Sequence, residues 1–360
     1  MQFITACIDK NALIHNIKHI KSLVPQSNVI AVVKANAYGH GAYAVANTLK
    51  DYVQGFAVAR ISEAMELRKD GITKPIFLLE GFYNEEDVAY ISRYDLYTAV
   101  HELEQIEAIE KANIKKPIHV WLQVDVGMHR LGSHDEAQIL KLKARLEKCK
   151  NVVQPIGLLS HLSVADTPSE TEYNQEQIAF FKKISKHFTG DLCLTNSAGI
   201  ISWPESHTKW VRPGIILYGI SPYDDKTGED LNLKPVMTLK CHILALHKVK
   251  KGDKIGYGAY FVADKETTIG VISCGYADGY PRCAPNGTPV LVNGRIVPTA
   301  GHVCMDMMFV DLGENSKDKL GDEVILWGKG LPVEKIAKLC NTIPYELVCK
   351  VMPRVDFEFS

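Results

Sequence analysis

Residues 28–41 read NVIAVVKANAYGHG, an apolar β-branched run that closes on Lys34 and is followed by small residues and two glycines. The run reads as a buried parallel strand. The turn after it lacks the GxGxxG spacing of an open, dinucleotide-binding sheet. Seven similar runs follow: GFAVAR (55–60), KPIFLLEG (74–81), LYTAV (96–100), PIHVWLQVD (117–125), PIGLLSHL (155–162), DLCLTNS (191–197) and KWVRPG (209–214). Helix-like segments such as ISEAMELRKDG (61–71), HELEQIEAIEKAN (101–113) and ETEYNQEQIAFFKKISKHF (170–188) alternate with them. Eight parallel βα units predict a closed (β/α)8 TIM-type barrel, placed at residues 8–230. Beyond it, VMTLKCHILALHKV (236–249), TTIGVISCGYA (267–277), TPVLVNGRIV (288–297), HVCMDMMFVDLG (302–313) and DEVILWGKG (322–330) read as strands between turn signals KKGDK, PNGTP and VNGR. They predict a C-terminal mostly-β domain at 231–360. The strand-like opening FITACID (3–9) is expected to bring residues 1–7 into that domain.

The 360 residues carry 41 basic and 42 acidic side chains with no charged stripe or tail, which disfavours nucleic acid and points to small-molecule ligands. The N-terminus lacks the pattern of a secretory signal, and no apolar stretch is long enough to span a bilayer. Nine scattered cysteines form no CxxC pair, so reduced thiols in a cytoplasmic protein are expected and no metal site is.

A parallel barrel keeps its active site at the C-terminal ends of its strands. Those ends carry Lys34, Asp125 with Arg130, His161, Asn196 with Ser197, and Arg212. A lysine closing an apolar strand is desolvated, which favours the neutral nucleophilic amine that a Schiff base with an aldehyde cofactor requires. Ala35, Ala37, Gly39 and Gly41 leave room for a ring, and Tyr38 can reach a phosphate. A barrel-end lysine paired to a carboxylate beside a packed tyrosine would give the same segment. Ser197 and the amides after it, with those of Gly214 and Ile215, suit an anion at the last two strands. Asn-Ser also caps helices, a compatible use. His161 is placed to stack on a planar cofactor or to relay a proton.

With these residues assembled, the chain resembles the bacterial alanine racemase family from about Ile8 to Arg354. The resemblance rests on AVVKANAYGHG, VDVGMHRLG, LLSHLSVAD, TNSAG, VRPGIILYG, IGYGAYF, GYADGYPR, GHVCMDM and IPYEL, in this order. It implies a pyridoxal-phosphate enzyme that interconverts L- and D-alanine for peptidoglycan, working as a homodimer with shared active sites. It further implies Lys34 as cofactor-bearing lysine and first base, and Tyr257, from the other subunit, as second base. Arg212 would face the pyridine nitrogen, and Arg130 the phenolic oxygen and the substrate carboxylate, with His161 flanking the ring. Tyr38, Asn196, Ser197, Gly214, Ile215 and Tyr345 would serve cofactor binding. Met305 would offer a backbone amide to the substrate carboxylate, and Tyr276 would narrow the entrance.

Two positions depart from the family's common pattern. Gln123 stands where many members have a lysine that becomes carbamylated, and His302 where arginine is frequent. A neutral amide brings no charge to Arg130, so a small anion, chloride, is expected beside Gln123 and Arg130. The rival readings are a broader-specificity racemase acting on serine, a basic amino-acid decarboxylase, and a non-catalytic pyridoxal-phosphate-binding protein. Decarboxylases of this plan set a carboxylate against the pyridine nitrogen, unlike Arg212, and a carrier would lack the β-domain with Tyr257 and Met305.

Overall fold

The computed structural model describes residues 4–360 and divides them into two compact units, 16–217 and 4–15 with 218–360. Residues 1–3, part of the N-terminal segment expected to join the β-domain, lie outside the described residues.

The chain opens with β1 (Ile4–Ile8) and α1 (Lys10–Leu23). The barrel strands follow: β2 (Asn28–Val32), β3 (Gly55–Val58), β4 (Ile76–Leu78), β5 (Leu96–Val100), β6 (His119–Gln123), β7 (Gly157–Leu159), β8 (Leu192–Cys193) and β9 (Trp210–Val211). They pair in parallel in sequence order, and β9 closes on β2 through Asn28 opposite Trp210. Between them run α2 (Ala42–Leu49), α3 (Ile61–Lys69), α4 (Asp87–Arg93), α5 (Leu103–Lys111), α6 (Glu136–Lys148), α7 (Thr171–Ser185) and the short α8 (Ser197–Ser202). The interior is packed, not open. Phe77, Trp121 and Trp210 meet with ring centroids 5.4–6.1 Å apart. Gly157 makes room for them, since a Cβ there would stand 2.6 Å from the Trp121 indole.

The second unit is built on β1, β10 (Met237–Val249), β13 (Thr267–Ile272), β14 (Pro289–Val292), β15 (Arg295–Pro298), β16 (Met308–Gly313), β17 (Glu323–Trp327) and β18 (Asp356–Phe359). A separate two-strand ribbon joins β11 (Lys254–Ile255) to β12 (Phe261–Val262), and α9 (Val333–Leu339) and α10 (Pro344–Cys349) complete the unit. The main path runs β15-β14-β17-β10-β1-β18, with β13 joining β10 to β16. The β14–β15 hairpin turns on Asn293 and Gly294, both at positive φ, as an Asn-Gly hairpin requires.

The unit boundaries differ from those expected at 8 and 230. Ile8 pairs with Met237, and Val236 N–H donates to Tyr218 O at 3.1 Å. Glu334 Oε1 accepts the backbone N–H groups of Ser221 and Gly228 at 2.9 and 2.8 Å. These bonds tie 218–230 and the N-terminal strand to the β-rich unit. The strand expected at 302–313 is also shorter. Residues 302–307 turn back instead, with Cys304 N–H donating to Met307 O at 2.9 Å.

No helix among the described residues is long and apolar enough to cross a membrane.

Candidate active site

Lys34 lies two residues past the end of the first barrel strand, and the backbone after it turns left-handed. Ala35, Asn36, Ala37 and Tyr38 all have φ of 52–55°. Such a turn costs L-residues roughly 1–2 kcal/mol each, so the surroundings must impose it. Glu63, in the first turn of α3, accepts Ala35 N–H on Oε1 at 2.6 Å, and its Oε2 accepts the N–H groups of Ala59 and Arg60. Asn36 Oδ1 accepts Ala42 N–H at 2.8 Å, and the buried His40 places Nδ1 2.9 Å from Tyr38 O. Motif reading found neither this turn nor Glu63. Lys34 is half-buried, short of the full desolvation expected of it.

Arg212 follows β9 and is buried. Its Nη2 donates to Ser160 O at 2.6 Å, and its Nη1 to Cys193 O at 3.2 Å and Cys193 Sγ at 2.9 Å. No carboxylate among the described residues pairs with it, and its Nε–H takes no part in these bonds. His161 Nδ1 lies 3.4 Å from Arg212 Nη2. Guanidinium only donates, so this Nδ1 is an acceptor and the ring proton sits on Nε2. Burial, and then the charges of Arg212, Arg130 and Lys34, hold the His161 imidazole well below its usual pKa. The ring is neutral.

The phosphate residues expected in this unit also converge. Buried Tyr38 packs against Gly214, where a Cβ would stand 2.6 Å from the phenol oxygen. Ser197 Oγ accepts Gly214 N–H at 2.9 Å, so the chain itself uses an amide assigned to the anion. Asn196 caps α8 by accepting Gly199 N–H at 2.9 Å and donates to Leu162 O. Ile215, buried, follows Gly214.

Arg130 is exposed, and no described carboxylate pairs with it. Asp125, in the same loop, accepts the amides of Gly127 and His129 and pairs with His129 Nδ1 at 3.2 Å. The barrel unit thus presents Lys34, Arg130 and Arg212 without a neutralising acid. That arrangement suits a ligand carrying a phosphate, a phenolic oxygen and a ring nitrogen, and the residues fit pyridoxal phosphate.

The β-rich unit carries Tyr257, Tyr276, Met305 and Tyr345. Tyr257 stands between Gly256 and Gly258, both at positive φ, and is 72% exposed. Tyr276 N–H donates to Cys304 O at 3.0 Å, and Ala277 N–H to Met305 O at 2.9 Å. Gly275 permits this approach, since a Cβ there would lie 2.2 Å from the Met305 carbonyl. Tyr276 and Met305 are therefore side by side, whereas Tyr257 sits on a turn of its own and Tyr345 near the start of α10. Asp278, Arg354 and Asp306, which motif reading passed over, brace this pair of loops. Arg354 meets Asp278 at 3.0 Å and Asp306 at 2.9 Å. His302 stacks on Tyr260 with centroids 4.1 Å apart, a packing role for the residue that replaces arginine.

Residues 8–222 match the family described as alanine racemase, N-terminal domain, and 236–359 the alanine racemase, C-terminal domain. The alanine racemase of Aeromonas hydrophila is 50% identical over 359 residues, all of both chains. The biosynthetic alanine racemase of Escherichia coli K12 is 48% identical, covering all of this chain and 99% of its own. The crystal structure of the biosynthetic alanine racemase from Pseudomonas aeruginosa superposes with a TM-score of 0.95 at 42% identity, covering both chains fully. The chain belongs to the alanine racemase family.

Proposed function

We propose that the protein is a pyridoxal-phosphate-dependent alanine racemase, acting in the cytoplasm to supply D-alanine for peptidoglycan. The observation that carries the reading is Arg212 itself, a buried guanidinium at the barrel end that is held by carbonyls and a thiol and paired with no acid. When bound, pyridoxal phosphate supplies an electron-withdrawing ring conjugated to the substrate nitrogen, which makes the Cα proton removable. Tyr38, Ser197 and Ile215 hold its phosphate, with Tyr345. Arg212 can donate to the ring nitrogen but carries no proton it readily gives up. It therefore leaves that nitrogen unprotonated and keeps electron withdrawal moderate, which favours reprotonation at Cα over side reactions.

Racemisation requires one proton to leave Cα and another to arrive on the opposite face. Lys34 Nζ serves one face. The phenol oxygen of Tyr257 serves the other, in a homodimer whose sites each draw on both subunits. A free phenol titrates near ~10, so Tyr257 works as a base only with a donor toward its oxygen. The Nε2–H of the neutral His161 is the donor we assign. Arg130 and the Met305 amide orient the substrate carboxylate, and Tyr276 limits the side chain admitted.

The test is incubation of the purified protein with L-alanine and pyridoxal phosphate in heavy water. D-alanine carrying deuterium at Cα is expected, with no carbon dioxide. Faster turnover of L-serine would replace the substrate assignment. Amine and carbon dioxide would make the protein a decarboxylase, and cofactor binding without turnover a carrier. Borohydride reduction should fix the cofactor on Lys34, and a label on another lysine would overturn that assignment.

A further inference from the structure

The nine cysteines are all free thiols, and Cys149, Cys193, Cys241 and Cys274 are buried. Cys283 and Cys340 stand apart from these. Both belong to the β-rich unit, separated by 57 residues. Cys283 is exposed in the loop that follows the Tyr276 turn, and Cys340 is buried at the C-terminal cap of α9. Cys283 Sγ lies 3.7 Å from the carbonyl oxygen of Cys340. The Cys340 thiol is pushed up to about 12, by burial first and then by its neighbour Cys283. One thiol therefore meets solvent while the other waits beside it, shielded and protonated. An accessible thiol next to a resolving one is the arrangement that peroxide converts to a disulfide in place of irreversible acids.

We propose that Cys283 and Cys340 are a peroxide-responsive thiol pair that closes to a reversible disulfide. Hydrogen peroxide is the oxidant. The Cys283 thiol gives up its proton as its sulfur attacks one peroxide oxygen, the O–O bond breaks, Cys283 becomes a sulfenic acid, and the departing hydroxide takes that proton and leaves as water. The Cys340 sulfur then attacks the Cys283 sulfur, the S–O bond breaks, and the hydroxyl departs with the Cys340 proton as a second water. Two thiols and one peroxide give one disulfide and two waters. The bond ties the loop that carries Tyr276 to the end of α9. This inference does not depend on the proposed reaction.

The test treats the full-length protein, reduced and then freed of reductant, with equimolar hydrogen peroxide. The protein is then blocked with iodoacetamide in denaturant, digested and mapped by mass spectrometry. The expected product joins the Cys283 peptide to the Cys340 peptide, two hydrogens lighter than their sum, and disappears with dithiothreitol. It should persist in Cys349→Ser, whose exposed thiol shares the tryptic peptide of Cys340, and be lost in Cys283→Ser. In Cys340→Ala, Cys283 should accumulate as a dimedone-reactive sulfenic acid. Cys283 found as a sulfinic or sulfonic acid while Cys340 alkylates as a free thiol would overturn the pair. So would a bridge to Cys349 or between chains.

Discussion

His40 is fully enclosed, and its Nδ1 faces the carbonyl oxygens of Ala37 and Tyr38 at 3.1 and 2.9 Å. Two acceptors fix the proton on Nδ1, and burial lowers the imidazole from 6.5 to about 4. The folded value lies below the unfolded one, so the folded state resists a proton that the unfolded chain takes up. The stability linked to His40 is complete above pH 6.5 and is lost as pH falls through about 4. The loss amounts to roughly 3 kcal/mol. Urea unfolding between pH 7 and 4 should show this slope in the wild type and a shallower one in His40→Gln, and equal slopes would refute it. Gln123 and Arg130 carry the second prediction at this scale. Asp125 is engaged by its own loop, so a halide remains the counter-ion we expect beside Arg130. A bromide-soaked crystal should show an anomalous peak there, and activity should be indifferent to bicarbonate. An empty map near Arg130 refutes the expectation. Strand-end polarity made Lys34, His161 and Arg212 legible, because in a parallel barrel those positions share one rim. Tyr257 was not legible from its surroundings. An exposed tyrosine between two glycines looks like any turn residue, and only the family motif singled it out.

The left-handed turn after β2 depends on α3 through a single carboxylate. Glu63 accepts three backbone N–H groups, one from the turn and two from its own helix start. Hydrogen bonds to a charged acceptor contribute roughly 1.5–3 kcal/mol each, and an unsatisfied amide costs further. Glu63 is only half-buried, so water makes up part of what these amides lose, and Glu63→Ala should lower unfolding free energy by about 2–3 kcal/mol and weaken cofactor affinity several-fold, with Glu63→Gln intermediate. Urea titration and a pyridoxal-phosphate binding curve check both effects, and an unchanged affinity would separate Glu63 from the site. Most strands and helices could be read from apolar periodicity, because burial on one or both faces leaves a pattern. The turn left none. Alanine and tyrosine carry no signal for positive φ, and Asn36 with Gly39 and Gly41 was the only hint. Residues 302–307 misled for the opposite reason: Val303, Met305 and Met307 alternate as a strand would, but this chain spends them on a loop that grips residues 276 and 277.

The candidate residues divide between the units, with Lys34, Tyr38, Arg130, His161, Asn196, Ser197, Arg212, Gly214 and Ile215 in one and Tyr257, Tyr276, Met305 and Tyr345 in the other. If each site draws Lys34 from one subunit and Tyr257 from its partner, Lys34→Ala and Tyr257→Phe chains should complement. Random exchange makes half the dimers mixed, each with one intact site, so activity should recover to about a quarter of wild type. Proven heterodimers without recovery would show that the site is not shared. The two-part organisation was legible in the change from alternating βα units to hairpin signals. The exact seams were not, because the bonds that fix them join segments far apart in sequence. That distance has a consequence for how the protein is made. Ile4–Ile8 leaves the ribosome well before its partner in register, because Met237 is translated more than two hundred residues later. At cellular rates the wait is roughly 10–50 s. During it the eight barrel strands can all emerge and close, while an apolar five-residue segment trails from the nascent chain with its hydrogen bonds unpaired. That interval is when the newborn chain is most open to a chaperone, or to another nascent chain beside it.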